Sequence, residues 1–523
     1  MNPGGGAATW RSERVFVLAF ALAGFAVAWL ATGPRVLAVV NWDNGSFMVD
    51  LATQAKPWSS PVWNAHFAVR HVYLLGWYVL RPFGGTLADG FRLADAIAFA
   101  INAAVIASAA SRLARDRVVA AFVTVAWMTA WVNLFLLLTL EDNILFLAPS
   151  AGVLWLCALR ADRFGVRESA WAGVWAAFAC LMSWQAILYL APAFYCAAIA
   201  GPRARKLAER ARTTGALFAA FVATLLVWCA VIAATSQLKL GALIVTMFSR
   251  PAGNFGVRSP LDVAGQLRAL GVSAGYFITH TAYDPPPWPK QPAALAVAVW
   301  LLLVGVLAAA TLWAWRLRRW TLHVLAATLV LFCAVTPLYR DVEYRYFIRY
   351  DFVPPVCALL AAAAWGELGE RARRRGVRLA VIGALAAMTI AQTALAARWD
   401  HRRLAGYATL PSWIGTHPRE AWYGREGQSW YGYFRGVRRA HPDACRYVLA
   451  LDEISDGRWN LDILGALWSE LPTHVAVFDP ARGSVNGWRF KPNAVSLADA
   501  RARKLDEACA YVSPDARRVL GAQ

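Results

Sequence analysis

Charge is scarce in this chain. Asp, Glu, Lys and Arg make up only 16% of its 523 residues, where soluble proteins average about 25%. Lysine is scarcer still, since all but six of the 52 cations are arginine. Cysteine occurs eight times, and Cys157, Cys180, Cys196, Cys229, Cys333 and Cys357 sit in apolar runs without metal-ligand spacing. They read as small buried hydrophobes, which excludes a disulfide-framework miniprotein and a zinc scaffold. No P-loop, GxSxG, HExxH, CxxC pair or GxGxxG occurs, so ATP-driven transport and the common hydrolase chemistries have no local support. What the chain has instead is apolar surface: 59% of residues are hydrophobic and the mean hydropathy is +0.42. A soluble globule of this length has no core large enough to hide so much, so the chain reads as an integral membrane protein.

A spanning helix needs about 20 mostly apolar residues. The first candidate is Val15–Thr32. Its flank Thr32-Gly33-Pro34-Arg35 is a poor cleavage site for a signal peptide, so it reads as a retained first helix. Further candidates are 92–111, 118–140, 144–159, 169–183, 184–200, 213–236, 292–315, 320–339, 351–368 and 378–399. The pair 169–183 and 184–200 reads as two spans, or as one long bent helix. The expected fold is therefore a polytopic α-helical membrane protein with about eleven transmembrane helices over residues 1–399.

Threading the chain from a cytoplasmic N-terminus puts the loops 111–117, 160–167, 201–212, 316–319 and 369–378 inside. With Arg11 and Arg14 they hold 21 cations, all in short segments. This is the positive-inside pattern, and it accounts for most of the net charge of +20 without nucleic acid. Outer loops then cover 33–91 and 237–291. Within the first, Val62–Pro82 is apolar but carries His66, Arg70, His71 and Arg81, and reads as an amphipathic helix in the outer interface. The second, with its run Pro285-Pro286-Pro287-Trp288-Pro289, reads as a structural loop or a mobile lid. Residues 400–523 read as a soluble extracytoplasmic domain. Its strand-like runs 445–451, 473–478 and 509–513 alternate with the helical patterns 460–471 and 496–508, which argues for a small α/β unit with parallel strands.

Acidic residues sort to the same outer face. Asp43 follows the first span by about ten residues, and Glu141-Asp142 sits in a short turn with no local cation to pair with. Separated in sequence yet confined to one surface, they suit a site between helices. A second group is Arg340-Asp341-Val342-Glu343-Tyr344-Arg345-Tyr346-Phe347-Ile348-Arg349-Tyr350. On a helix Arg345 and Arg349 share a face and Tyr346 shares the adjacent one with Tyr350. Planar guanidinium forks suit phosphate, and an interfacial aromatic belt with snorkelling arginines explains the same residues.

The order of these features resembles the C-type glycosyltransferase superfamily (GT-C), in particular its bacterial branch of aminoarabinose transferase and protein O-mannosyltransferases. The resemblance covers roughly residues 10–400. It rests on a first span, an outer Asp, an interfacial helix ending in Phe83-Gly84, an Arg92-Leu93 opening the second span, an acidic turn after the third, and Tyr346 ahead of Pro354-Pro355. The resemblance implies transfer of a sugar from a polyprenyl-phosphate carrier to a glycan, lipid or protein acceptor outside the cell, at a bacterial-type inner membrane. It implies Asp43 as the base, Glu141 or Asp142 as the second acidic position, and Arg345 or Arg349 on the carrier phosphate, with Tyr346 beside them. Arg70-His71-Val72 stands where family members often have Lys-Pro-Pro, and Asp43-Asn44 where they often have Asp-Glu. No obligatory cofactor is implied; a divalent cation, Mg or Mn, would fall to Glu141 and Asp142. Two other readings fit the same composition: an O-antigen ligase or polymerase, and a lipid or glycolipid transporter, although no internal repeat favours transport.

Cys445 and Cys509 are the two cysteines outside the spans, each at the start of a strand-like run in an oxidising compartment, and they are expected to form a disulfide if those strands are neighbours in register. The sidedness has a direct check. Reporters fused after Arg115 or Arg374 are expected in the cytoplasm and one fused after Asp400 outside it. A cytoplasmic tail would overturn the shared face of Asp43 and Glu141.

Overall fold

The computed structural model describes residues 3–32, 67–85, 87–139, 143–200, 206–235, 239–241, 243–245, 293–335, 353–368, 374–408, 447–451, 474–479, 484–487 and 509–510. The helices are α1 (Pro3–Ala31), α2 (Val69–Leu80), α3 (Leu87–Ala114), α4 (Arg117–Met128), α5 (Trp131–Thr139), α6 (Asn143–Arg160) and α7 (Val166–Met182). They continue with α8 (Leu190–Ala198), α9 (Leu207–Thr235), α10 (Ala293–Arg316), α11 (Trp320–Val335), α12 (Val353–Glu367) and α13 (Arg375–Ala408). Each segment read as a span overlaps at least one of these, with 118–140 divided between α4 and α5. Among the described residues four helices are long and apolar enough to cross a bilayer alone, within α1, α3, α9 and α13. The pair α4–α5, bent by 51° at its break, makes a fifth, and shorter apolar helices lie within α6, α8, α11 and α12.

The choice left open at 169–200 resolves as a break. α7 ends at Met182, Ser183 is extended at φ −149° and ψ 124°, and a 3-10 turn Trp184–Tyr189 precedes α8. The last helix also outruns its expected end, continuing through Asp400 to Ala408.

Polar contacts sort the helix ends into two groups. At one end Arg112 pairs with Glu13 at 2.6 Å, Arg117 bonds Ser12 at 2.5 Å, and Arg378 pairs with Asp116 at 2.8 Å. There too Arg319 meets Glu367 at 2.8 Å, Thr321 donates to the Ala158 carbonyl, and Arg210 donates to the carbonyls of Ala198 and Ile199. These are ends flanking the arginine-rich loops that alternation assigns to one face. At the other end Arg92 donates to the Trp29 carbonyl at 3.1 Å, Ala68 N–H to Leu181 at 2.8 Å, and His71 meets Thr235 at 3.3 Å. Among the helices these contacts join, ends that flank arginine-rich loops meet one another and the opposite ends meet one another.

Between the ends the core is packed from Ala, Leu, Phe and Val, with Phe99 stacked on Trp127 and Tyr189 edge-on to Phe332. α2 lies directly against α3 because glycine meets glycine. A Cβ on Gly76 would strike the Gly90 carbonyl, and one on Gly90 would strike the Trp77 backbone. This close approach lets α2 bury one face, on which Arg70 and His71 lie together with Val69, Tyr73 and Leu74. Arg70 and His71 are buried while Leu75, Val79 and Phe83 are exposed. The cations expected on the polar side of this segment are therefore divided, with Arg70 and His71 turned into the protein and Arg81 exposed.

In the tail, β1 (Tyr447–Leu451), β2 (His474–Asp479), β3 (Ser484–Gly487) and β4 (Cys509–Ala510) form one sheet in the order β3-β2-β1-β4. β1 is parallel to both β2 and β4, as expected, and β3 adds an antiparallel edge that the sequence reading did not contain. The helical patterns 460–471 and 496–508 lie outside the described residues. β1 and β4 are neighbours, but Cys509 sits opposite Val448, three positions along from Cys445, which is itself outside the described residues. The in-register starts on which the expected disulfide rests are not what the pairing gives.

Candidate functional site

The site assembles at the end of the bundle away from the arginine belt, where α2 is wedged among the ends of α3, α7 and α9. The N-terminus of α2 is tied to α7 by the Ala68–Leu181 backbone bond, and His71 lies against the last turn of α9. His71 stands edge-on to Trp228, ring centroids 5.7 Å apart. Its Nε2 lies 3.3 Å from the Thr235 hydroxyl, which itself donates to the Val231 carbonyl at 3.0 Å. The hydroxyl proton is thus already used, so Nε2 is the N–H donor and Nδ1 carries the lone pair. Burial first, and then the adjacent Arg70 charge, push the imidazole down to about 4. At neutral pH His71 is an uncharged acceptor beside a buried cation.

Two more polar groups lie on the outer third of α3. Tyr73 of α2, stacked on Phe91 at 3.7 Å between centroids, donates to Asp95 at 3.3 Å, and both residues are fully buried. Arg92 lies flat over the Trp29 ring at 4.2 Å, pairs with Asp89 at 3.2 Å, and donates to the Trp29 carbonyl. That carbonyl is one of the last-turn acceptors of α1, and Thr32 also reaches back to it and to Ala28. The exit of α1, from which the Asp43 segment departs, is held by an arginine fork and a hydroxyl together.

Of the residues singled out by sequence, Arg70 and His71 are placed and brought together. Asp43, Glu141, Asp142, Arg345, Tyr346 and Arg349 lie outside the described residues. The helix ends that bracket their segments, at Thr32, at Thr139 and Asn143, and at Val335 and Val353, belong to the end opposite the arginine belt by the alternation above. Sequence reasoning missed Thr235, Trp228 and the Tyr73–Asp95 pair. A buried carboxylate in an otherwise apolar span was the available signal for the last of these. Among the described residues no three His, Cys, Asp or Glu side chains gather within reach of one metal ion.

Stability should record the neutral state of His71. The unfolded chain takes up a proton near the ordinary histidine value of 6.5, while the folded one resists it to about 4. The contribution is fully present above 6.5 and is lost as pH falls toward 4, by up to about 3 kcal/mol. Thermal melts of wild type should weaken across that window more than those of His71→Gln; parallel curves would contradict the assignment.

No family model and no curated protein matches the chain. Among solved structures, the crystal structure of ArnT from Cupriavidus metallidurans bound to undecaprenyl phosphate matches with a TM-score of 0.53. Sequence identity is 13%, and the match covers 89% of this chain and 93% of that one. A likeness spanning nearly the whole of both chains at so low an identity is a likeness of architecture, and it shows that this chain shares the fold of that protein.

Proposed function

We propose that the chain is an integral membrane glycosyltransferase that moves a hexose or pentose from a polyprenyl-phosphate carrier to an extracytoplasmic glycan, lipid or protein acceptor, with inversion. The observation that carries the reading is the near end-to-end fold match to a protein crystallised with undecaprenyl phosphate. It is supported by the sorting of polar groups, which leaves the arginine-poor end for a donor whose phosphate lies at the membrane surface.

The chemistry assigned to the residues is simple. The acceptor oxygen bonds to the anomeric carbon as its proton passes to Asp43, and the carbon–oxygen bond to phosphate breaks with its electrons on the departing polyprenyl phosphate. One attack and one base invert the centre. Arg345 and Arg349, with Tyr346 alongside, would take the growing phosphate charge, and Arg70 lies buried at the same end. His71, neutral at physiological pH, suits the sugar rather than the phosphate. Glu141 and Asp142 would orient the acceptor or hold a Mg or Mn ion. The cell location proposed is a bacterial-type inner membrane, N-terminus inside and tail outside. No nucleic acid is involved.

Transfer of label from a panel of polyprenyl-phosphate sugars tests the reading. Asp43→Asn, nearly isosteric, should insert normally and lose about 100- to 10,000-fold in rate; a wild-type rate would remove Asp43 from the mechanism. Glu141→Gln and Asp142→Asn should differ in effect, with Glu141, nearer the helix end, the more sensitive. Arg345→Lys and Arg349→Lys keep charge but lose the planar fork, so the apparent donor constant should rise in at least one of them. Unchanged constants in both would favour an aromatic belt.

A further inference from the structure

The apolar pair α4 and α5 is broken midway along its length, and the break is served by a helix distant in sequence. A break in hydrocarbon exposes backbone groups that no water can satisfy, so each needs a partner within the protein. Local groups serve several: Thr129 N–H and hydroxyl both reach the Val125 carbonyl, Ala130 N–H reaches Trp127, and the Asn133 amide donates to the Trp127 carbonyl at 2.6 Å. Trp131, the first residue of α5, instead donates its N–H to the side-chain oxygen of Gln392 on α13 at 2.9 Å.

α13 is otherwise a peripheral helix. It faces the bundle with a stripe spaced four and three residues apart, Arg378, Ile382, Leu385, Thr389, Gln392 and Ala396, while Gly383, Ala384, Ala387 and Ala391 are exposed. Two polar fixtures close the ends of that stripe. At the arginine-belt end Arg378 bonds Asp116, whose carboxylate caps α4 by accepting from Val118 and Val119. Burial works to raise the Asp116 pKa, but the Arg378 bond and the two N–H bonds hold it below the usual carboxylate range. At the other fixture stands Gln392. From 378 to 392 is 14 helical residues, about 21 Å, and from 116 to 131 is 15, about 22 Å. The two helices are thus pinned at matching heights on either side of the bend.

We propose that Gln392 is a positioning residue: by capping Trp131 N–H it makes α13 a splint that sets the 51° bend of α4–α5, and so the helix from which Glu141 and Asp142 depart. Its catalytic consequence rests on the glycosyltransferase reading; the splint does not. A Gln merely filling space would tolerate loss of its acceptor oxygen, whereas a cap would not.

The test uses the full chain in lipid nanodiscs with three variants. Gln392→Met keeps length but removes the acceptor, Gln392→Glu keeps an acceptor oxygen, and Ala391→Met alters the neighbouring exposed face. Hydrogen exchange over residues 129–139 should accelerate about tenfold in Gln392→Met, the factor one net hydrogen bond is worth, and stay at the wild-type rate in the other two. In sugar transfer, kcat should fall in Gln392→Met with the donor KM unchanged, and Gln392→Glu should restore it. If Gln392→Met does not insert stably, Gln392→Asn, one methylene shorter, gives the same comparison. Wild-type exchange in the variant lacking the acceptor overturns the splint whatever the activity. Faster exchange with unchanged kcat overturns its positioning role. If the wild-type protein transfers no sugar, the glycosyltransferase reading fails and the exchange arm still decides the splint.

Discussion

In hydrocarbon a backbone N–H or a charge has no solvent to fall back on, and leaving one unsatisfied costs several kcal/mol. The architecture follows from this constraint more than from any packing preference, since lipid tails are as apolar as the core. It drives the charged side chains to the helix ends, where Arg112, Arg319 and Arg378 find Glu13, Glu367 and Asp116. These pairs are partly exposed, so each contributes at most about 1 kcal/mol on its own. Their role is to hold helix ends in register at the face where the short loops turn.

The same constraint makes the polar groups at the other end informative. Arg70, His71, Tyr73 and Asp95 are buried among helices at a place where apolar residues would be cheaper; Thr235 holds His71, and Tyr73 holds Asp95. α2 contributes most of them because Gly76 and Gly90 let it lie flush on α3. The proposed donor, a charged phosphate at the end of a long apolar chain, suits polar side chains gathered at one end of an apolar bundle.

Much of this was legible in the sequence. Runs of apolar residues mark the places where the helices of the bundle form, because that signal is local and cumulative. Strands β1 and β2 carry apolar runs, YVLAL and HVAVF, and β4 opens a third. β3, reading Ser484-Val485-Asn486-Gly487, carries none; its pairing comes from the hairpin with β2 rather than from its own composition. The direction in which α2 faces was illegible for a related reason. Arg70 and His71 look like an outward polar face until the glycine contact shows which side is covered. The break at Thr129-Ala130 has no proline or glycine to announce it, and its distant partner Gln392 is an unremarkable residue in an alanine-rich helix. Long-range pairing, not local propensity, decides all three.

The central claim is that the lipid phosphate is handled at the end of the bundle opposite the arginine belt. A cryo-electron microscopy map of the protein in nanodiscs with added undecaprenyl phosphate tests it directly. The account predicts phosphate density at the end defined by Thr32, His71, Asn143 and Val353, with the isoprenoid chain lying along the outer surface. Density instead among Arg112, Arg319 and Arg378 would contradict it.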